Sequence, residues 1–106
     1  MGYKRRHIMD KQELLTNIAQ LQEAAEQMDE PEKTFKLTDV SILKISVEGM
    51  SISDIAQKMQ SIELPKIQEM EEGIQLATQA VISHTARVNA FNKAYGIIKG
   101  AIELAI

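Results

Sequence analysis

From residue 67 to residue 102, one stripe of residues recurs at alternating spacings of three and four for five heptads. Such spacing places every member on one side of an α-helix and is typical of helices that pair along an apolar seam. We therefore predict a single long helix over residues 65–105, with Pro65 in its first turn. Its seam consists of Ile67, Met70, Ile74, Ala77, Val81, His84, Val88, Phe91, Tyr95, Ile98 and Ile102.

The predicted helix is too long for a compact chain of this size. About 40 residues at 1.5 Å per residue extend ~60 Å, whereas a compact domain of about 100 residues has a radius of gyration of only ~13 Å. The seam must therefore pair with another chain, be covered by an N-terminal helix, or be interrupted. Gly73, Gly96 and Gly100 are the candidate positions for a break.

The same segment is unusually poor in charge and contains small residues at regular intervals. Arg87 is its only charged residue between Ile74 and Asn92, which indicates that more than one side of the helix is contacted. Small residues recur at four-residue spacing and would let a neighbouring helix approach closely, so we interpret them as a packing face. They are Ala86, Ala90 and Ala94, followed by Gly96 and Gly100.

The N-terminal half predicts further helices. An apolar stripe predicts a helix over residues 10–29, with Asp10 and Glu13 as a capping box at its start. Residues 1–9 precede it as a tail, either native or added in cloning. The stripe consists of Leu14, Ile18, Leu21, Ala25 and Met28.

Residues 30–50 allow two interpretations. Several β-branched residues favour a strand, whereas Val40, Leu43 and Val47 have helical spacing, and we favour the helix. Ser51 and Asp54 then cap a short helix over residues 52–60. Because apolar residues make up 44% of the chain and aromatic ones 4%, the core must be aliphatic. We predict one all-α domain over residues 10–106, a small helical bundle or helical hairpin.

Composition and motifs argue against several functional classes. The chain contains no cysteine and no apolar run of the ~20 residues that cross a bilayer. Adjacent carboxylates such as Glu71 and Glu72 do not face each other on a helix, and His84 has only His7 as a second histidine. We expect no catalytic, cofactor or metal site and no enzymatic activity, and we interpret His84 as a residue that fixes helix register. The expected location is the cytoplasm, or outside the cell by a route that needs no signal peptide.

The segment Ile42–Met59, ILKISVEGMSISDIAQKM, resembles the first two helices of a bacterial helix-turn-helix, with Gly49 and Ser51 in the turn. This resemblance implies a DNA-binding regulator. However, residues 60–72, where a recognition helix would follow, contain four glutamates and one lysine. Because acidic side chains are repelled by phosphates, nucleic acid is an unfavourable partner.

The outline of the chain is similar to that of WXG100-type proteins, the small helical partners exported by type VII secretion systems. Val47, Glu48 and Gly49 lie at the midpoint, where that family has its W-x-G turn, but the tryptophan is absent. The resemblance implies a secreted helical hairpin.

Taken together, these features predict a non-catalytic module for protein–protein interaction or oligomerisation. We expect it to act through the seam from Ile67 to Ile102, which would bind a second copy or a different protein. The two resemblances imply the alternatives of a DNA-binding regulator and a secretion partner.

Overall fold

The computed structural model describes residues 9–103, and these residues form five α-helices and no β-strand. The all-α prediction is therefore confirmed. In chain order the helices are α1 (Lys11–Glu26), α2 (Glu32–Glu48), α3 (Ile52–Gln60), α4 (Leu64–Ala77) and α5 (His84–Glu103).

Helix α1 begins at the predicted capping box. The Asp10 carboxylate accepts a hydrogen bond from the Glu13 amide at 2.8 Å, and the Glu13 carboxylate accepts one from the Asp10 amide at 3.1 Å. These bonds satisfy amides that have no partner within the helix. The helix ends at Glu26, three residues earlier than predicted, although Met28 is still buried.

The ambiguous segment is helical and packs against α1. In α2 the buried residues Val40, Leu43 and Val47 are those of the helical interpretation. The Lys11 ammonium group donates hydrogen bonds to the carbonyls of Glu48 at 3.2 Å and Met50 at 2.7 Å. This contact joins the start of α1 to the end of α2, so the two helices form an antiparallel hairpin.

The prediction of one helix over residues 65–105 is wrong, because residues 78–83 interrupt it and separate α4 from α5. None of the three glycines proposed as breaks is involved. The Thr78 hydroxyl donates to the Ile74 carbonyl at 3.0 Å, and the Ser83 hydroxyl accepts from the Ala86 amide at 3.1 Å. Polar side chains thus satisfy backbone groups at both sides of the turn.

The buried side chain of Arg87 holds this turn in place through hydrogen bonds. Only 5% of its surface is exposed, and its Nη1 atom donates to the carbonyls of Ala77 at 2.8 Å and Gln79 at 2.9 Å. A guanidinium at the C-terminal end of α4 satisfies carbonyls that have no helical partner and is favoured by the helix dipole. The one charge in the charge-poor segment therefore connects α5 to the end of α4.

Small residues bring α4 and α5 close together, but only some of those predicted. A Cβ atom added to Gly73 would lie 3.0 Å from the Ala90 carbonyl oxygen and 3.3 Å from the Ala94 Cβ atom. By contrast, a Cβ atom at Gly96 or Gly100 would meet nothing within 4 Å. Ala90 and Ala94 are buried and form this close contact, whereas Gly96 and Gly100 do not belong to it.

The two hairpins, α1–α2 and α4–α5, pack against each other through α1, and α3 lies on α5 and α1. The Cα radius of gyration is 14.0 Å. One aliphatic core, with Phe91 as its fully buried aromatic ring, connects all five helices. None of the helices within residues 9–103 is both long and apolar enough to cross a membrane.

Candidate protein-interaction surface

The predicted seam is largely the inner face of the α4–α5 hairpin. Six of its eleven members are buried, four are partly buried, and Val81, at the turn, is 93% exposed. The seam is therefore largely covered by its own chain, which leaves little of it for the partner contact that the sequence predicts. The buried members are Ile67, Met70, Ile74, Ala77, Phe91 and Ile98, and the partly buried ones are His84, Val88, Tyr95 and Ile102.

His84 begins α5 beside the turn. Its Nε2 atom is buried and has no hydrogen-bond partner among the described residues. Within residues 9–103 there is also no group of three or more histidine and carboxylate side chains that could hold a metal ion. Within that part of the chain, His84 is therefore not a member of such a group.

A second apolar stripe, which the sequence analysis did not identify, lies on the opposite side of α2 from its core residues. Phe35, Ile42 and Ile45 are 62%, 60% and 69% exposed. With Thr38 between them, they have the alternating spacing of three and four that helices use to pair. Among residues 9–103, no helix covers this heptad seam.

No charged residue interrupts this stripe. At about 100° per residue, the side of α2 that is turned away from Val40 and Val47 carries only apolar, hydroxyl and glycine residues. We call this surface the outward face of α2. Its members are Thr34, Phe35, Thr38, Ser41, Ile42, Ile45, Ser46 and Gly49.

The end of the outward face adjoins the turn into α3. The C-cap of α2 is Gly49, and α3 begins three residues later at Ile52, which is 70% exposed. Large exposed apolar residues thus continue from α2 across the turn to the first residue of α3. An uncharged apolar surface of this kind is typical of protein-interaction sites.

Two ionisable groups near α2 have shifted pKa values. Hydrogen bonds from the Thr34 hydroxyl at 2.8 Å and the Thr34 amide at 3.0 Å lower the pKa of Glu30. Burial raises the pKa of Tyr95, and the carboxylates of Asp39 and Glu103 raise it further. Neither arrangement places an acid and a base together. Glu30 instead caps the first turn of α2.

A shallow groove of about 570 Å³ runs beside α5. Gly96 and Gly100 lie along it, with Lys93 from α5 and Lys66 from α4 among the other lining residues. Lys66 also lies 3.7 Å from the Glu69 carboxylate. Charged residues of both signs line the groove, whereas the outward face of α2 carries no charge, so the groove is a weaker apolar docking surface than that face.

Within the segment that resembles a helix-turn-helix, α2 ends at Glu48 and α3 begins at Ile52. The Ser51 hydroxyl accepts a hydrogen bond from the Asp54 amide at 3.0 Å, as the predicted cap requires. At the position of a recognition helix, however, α4 exposes Glu71 and Glu72.

The spacing that forms the outward face is visible in the sequence, but it competes with a better-supported stripe. Val40, Leu43 and Val47 account for α2 as a helix with one buried side. Taken together with Val40 and Val47, the β-branched residues Ile42 and Ile45 favour a strand rather than a second helical stripe. Comparison with known proteins gives no further indication, because the chain matches no protein-family model, no curated protein and no solved structure.

Proposed function

We propose that this protein is a non-catalytic interaction module that binds another protein through the outward face of α2. The observation that carries the proposal is the exposure of Phe35, Ile42 and Ile45 at heptad spacing on a side of α2 without any charge. Large apolar side chains gain about 25 cal/mol per Å² when they leave water. A partner helix laid along this stripe would gain that free energy, as in other helix-in-groove complexes.

The internal covering of the C-terminal seam supports this choice of surface. Because α4 and α5 already bury most of that seam against each other, the outward face of α2 is the longest exposed apolar heptad pattern in the described part of the chain. Outside α2, the large exposed apolar side chains among the described residues are Ile52 in α3, Leu64 and Leu76 in α4, and Val81 in the turn. They do not form a heptad pattern on one helix, and scattered exposed apolar residues are normal on protein surfaces.

A photo-crosslinking experiment tests the proposal in cells that express the protein. A benzophenone amino acid is placed at Thr38, in the middle of the outward face, and at Gln22 on the exposed side of α1 as a control. We expect a discrete covalent adduct from position 38 and none from position 22. Adducts that are equal at both positions, or absent from both while adducts form elsewhere on the chain, would contradict the proposal.

DNA binding is the second candidate, favoured by the match of the α2–α3 boundary to a helix-turn-helix. The exposed glutamates of α4 oppose it, since phosphate contacts require basic side chains. Retention on immobilised DNA that weakens steeply with added salt would support this candidate. Passage through the column at low salt would oppose it.

A further inference from the structure

The charges that border the outward face of α2 indicate what kind of partner fits it, an inference that rests on the proposed function. At about 100° per residue, the nearest charged residues on α2 are all acidic. Glu32 and Asp39 lie on one border of the face and Glu48 on the other. The lysines of α2 lie farther round, on the side of the helix that carries Val40 and Val47; they are Lys33, Lys36 and Lys44.

The lysines at the contact between α2 and the neighbouring helix α5 do not neutralise this acidic border. Lys36 turns toward α5, with its Nζ atom 5.9 Å from the centre of the Phe91 ring. On α5, the Lys99 ammonium lies 6.0 Å from the centre of the Tyr95 ring and 4.0 Å from the Glu103 carboxylate. The basic groups on this side therefore have partners within the chain.

The whole α1–α2 hairpin carries the same sign of charge. Residues 9–49 contain nine acidic and four basic residues, so this half is negative, whereas the rest of the chain is not. Of the four basic residues, Lys11 is engaged by the carbonyls at the end of α2. A basic partner would be attracted toward this hairpin over several ångströms.

We infer that the outward face of α2 binds an amphipathic helix whose apolar seam is flanked by lysine or arginine residues. Apolar residues at heptad spacing in that helix would contact Phe35, Ile42 and Ile45, and its basic flanks would lie beside Asp39 and Glu48. Flanking charges of this kind select partners in paired helices. A second copy of the chain is a poorer fit, because it would bring two acidic borders together.

Two synthetic peptides test this inference directly. Each has three heptads with leucine at both seam positions; one has lysine at the flanking positions and the other has glutamate. Calorimetric titration of the full chain should show binding of the lysine peptide and at least about tenfold weaker binding of the glutamate peptide. The affinity of the lysine peptide should also decrease with added salt.

Variants show where the peptide binds and which charges matter. Asp39→Lys should weaken binding of the lysine peptide and strengthen binding of the glutamate peptide. Glu71→Lys, which also replaces an acidic residue by lysine but on the exposed side of α4, should alter neither affinity. Ile42→Ser should abolish binding, whereas Val81→Ser, at an exposed site off the face, should not. Circular dichroism confirms that each variant is folded.

The possible outcomes separate this inference from the proposed function. Equal binding of both peptides that Ile42→Ser abolishes overturns the basic partner and keeps the interaction surface. A homodimer that Ile42→Ser dissociates also overturns the basic partner and keeps the interaction surface. The partner is then a second copy of the chain. Binding that survives Ile42→Ser overturns both, and no binding of either peptide up to about 1 mM overturns the inference alone.

Discussion

At the scale of single residues, Arg87 explains how a charge-poor segment folds back on itself. The sequence shows one charge between Ile74 and Asn92, and the structure places that charge on the carbonyls of Ala77, the last residue of α4, and of Gln79 in the turn. Its burial is tolerated because those carbonyls accept its hydrogen bonds. Sequence analysis identified the residue as exceptional but could not assign its role, since its acceptors are backbone atoms that exist only once the turn has formed.

Replacing Arg87 tests this role. Arg87→Met keeps most of the side-chain volume but removes both hydrogen bonds, so we expect the free energy of unfolding to decrease by about 2–3 kcal/mol. Urea unfolding measures the change. Lys93→Met, on the exposed side of the same helix, should stay within about 0.5 kcal/mol of the parent. Equal effects of the two substitutions would show that Arg87 does not hold the turn.

Glu30 provides a test based on pH. Because the Thr34 hydroxyl is the largest cause of its lowered pKa, Thr34→Val should raise the Glu30 pKa toward its ordinary value, while the bond to the Thr34 amide keeps it somewhat low. The carboxyl carbon resonance followed through an NMR titration measures this. Thr38→Val, whose hydroxyl bonds only to the Thr34 carbonyl among the described contacts, is the control and should leave the pKa unchanged.

The sign of the resulting pH dependence follows from that shift. A carboxylate whose pKa is lower in the folded chain adds stability above its unfolded pKa, and this stability is lost as the pH falls through the folded pKa. Thr34→Val should therefore flatten the dependence of unfolding on pH in that acidic range. An unchanged Glu30 titration would contradict the assigned hydrogen bond.

At the scale of the helices, sequence periodicity located α1, α3 and the caps of both, but not the turn between α4 and α5. Residues 78–83 contain neither glycine nor proline, and the two halves of the seam are in phase across them. Two helices that face each other carry the same apolar pattern as one continuous helix. The pattern therefore predicts that the seam is covered, but it cannot distinguish a fold within the chain from pairing between chains.

Helix α2 is a second case in which the sequence pattern alone does not decide the structure. Its two apolar stripes, one buried and one exposed, together produce a run of β-branched residues that imitates a strand. The contact with α1 decides in favour of helix, because Val40, Leu43 and Val47 fill the space beside α1. What remains outside is the candidate binding surface, and its exposure could be known only from the structure.

The glycines of α4 and α5 provide a test of how these helices pack. Gly73→Ala should destabilise the fold by about 1–3 kcal/mol, because its new methyl group would press on the backbone and Cβ of α5. Gly96→Ala should instead stabilise it by up to about 1 kcal/mol, since alanine favours helix and meets no neighbour. Thermal unfolding measures both. Stabilisation by Gly73→Ala would mean that the helices are farther apart than described.

For the whole molecule, the length of the predicted helix was the most useful constraint from sequence. A rod of ~60 Å is incompatible with a single compact chain, and the described residues indeed have a radius of gyration of 14.0 Å. The fold class followed from composition and periodicity. The binding surface did not, because it depends on which of two competing stripes the chain covers by itself.

One measurement tests most directly whether the chain covers its C-terminal seam and leaves α2 open. Isoleucine methyl groups are observed by NMR while a soluble nitroxide is added, which broadens the signals of methyls that solvent can reach. We predict strong broadening for Ile42 and Ile45 and little for Ile74 and Ile98, which are buried. Protected Ile42 and Ile45 methyls with accessible Ile74 and Ile98 methyls would contradict the fold and the proposed surface together.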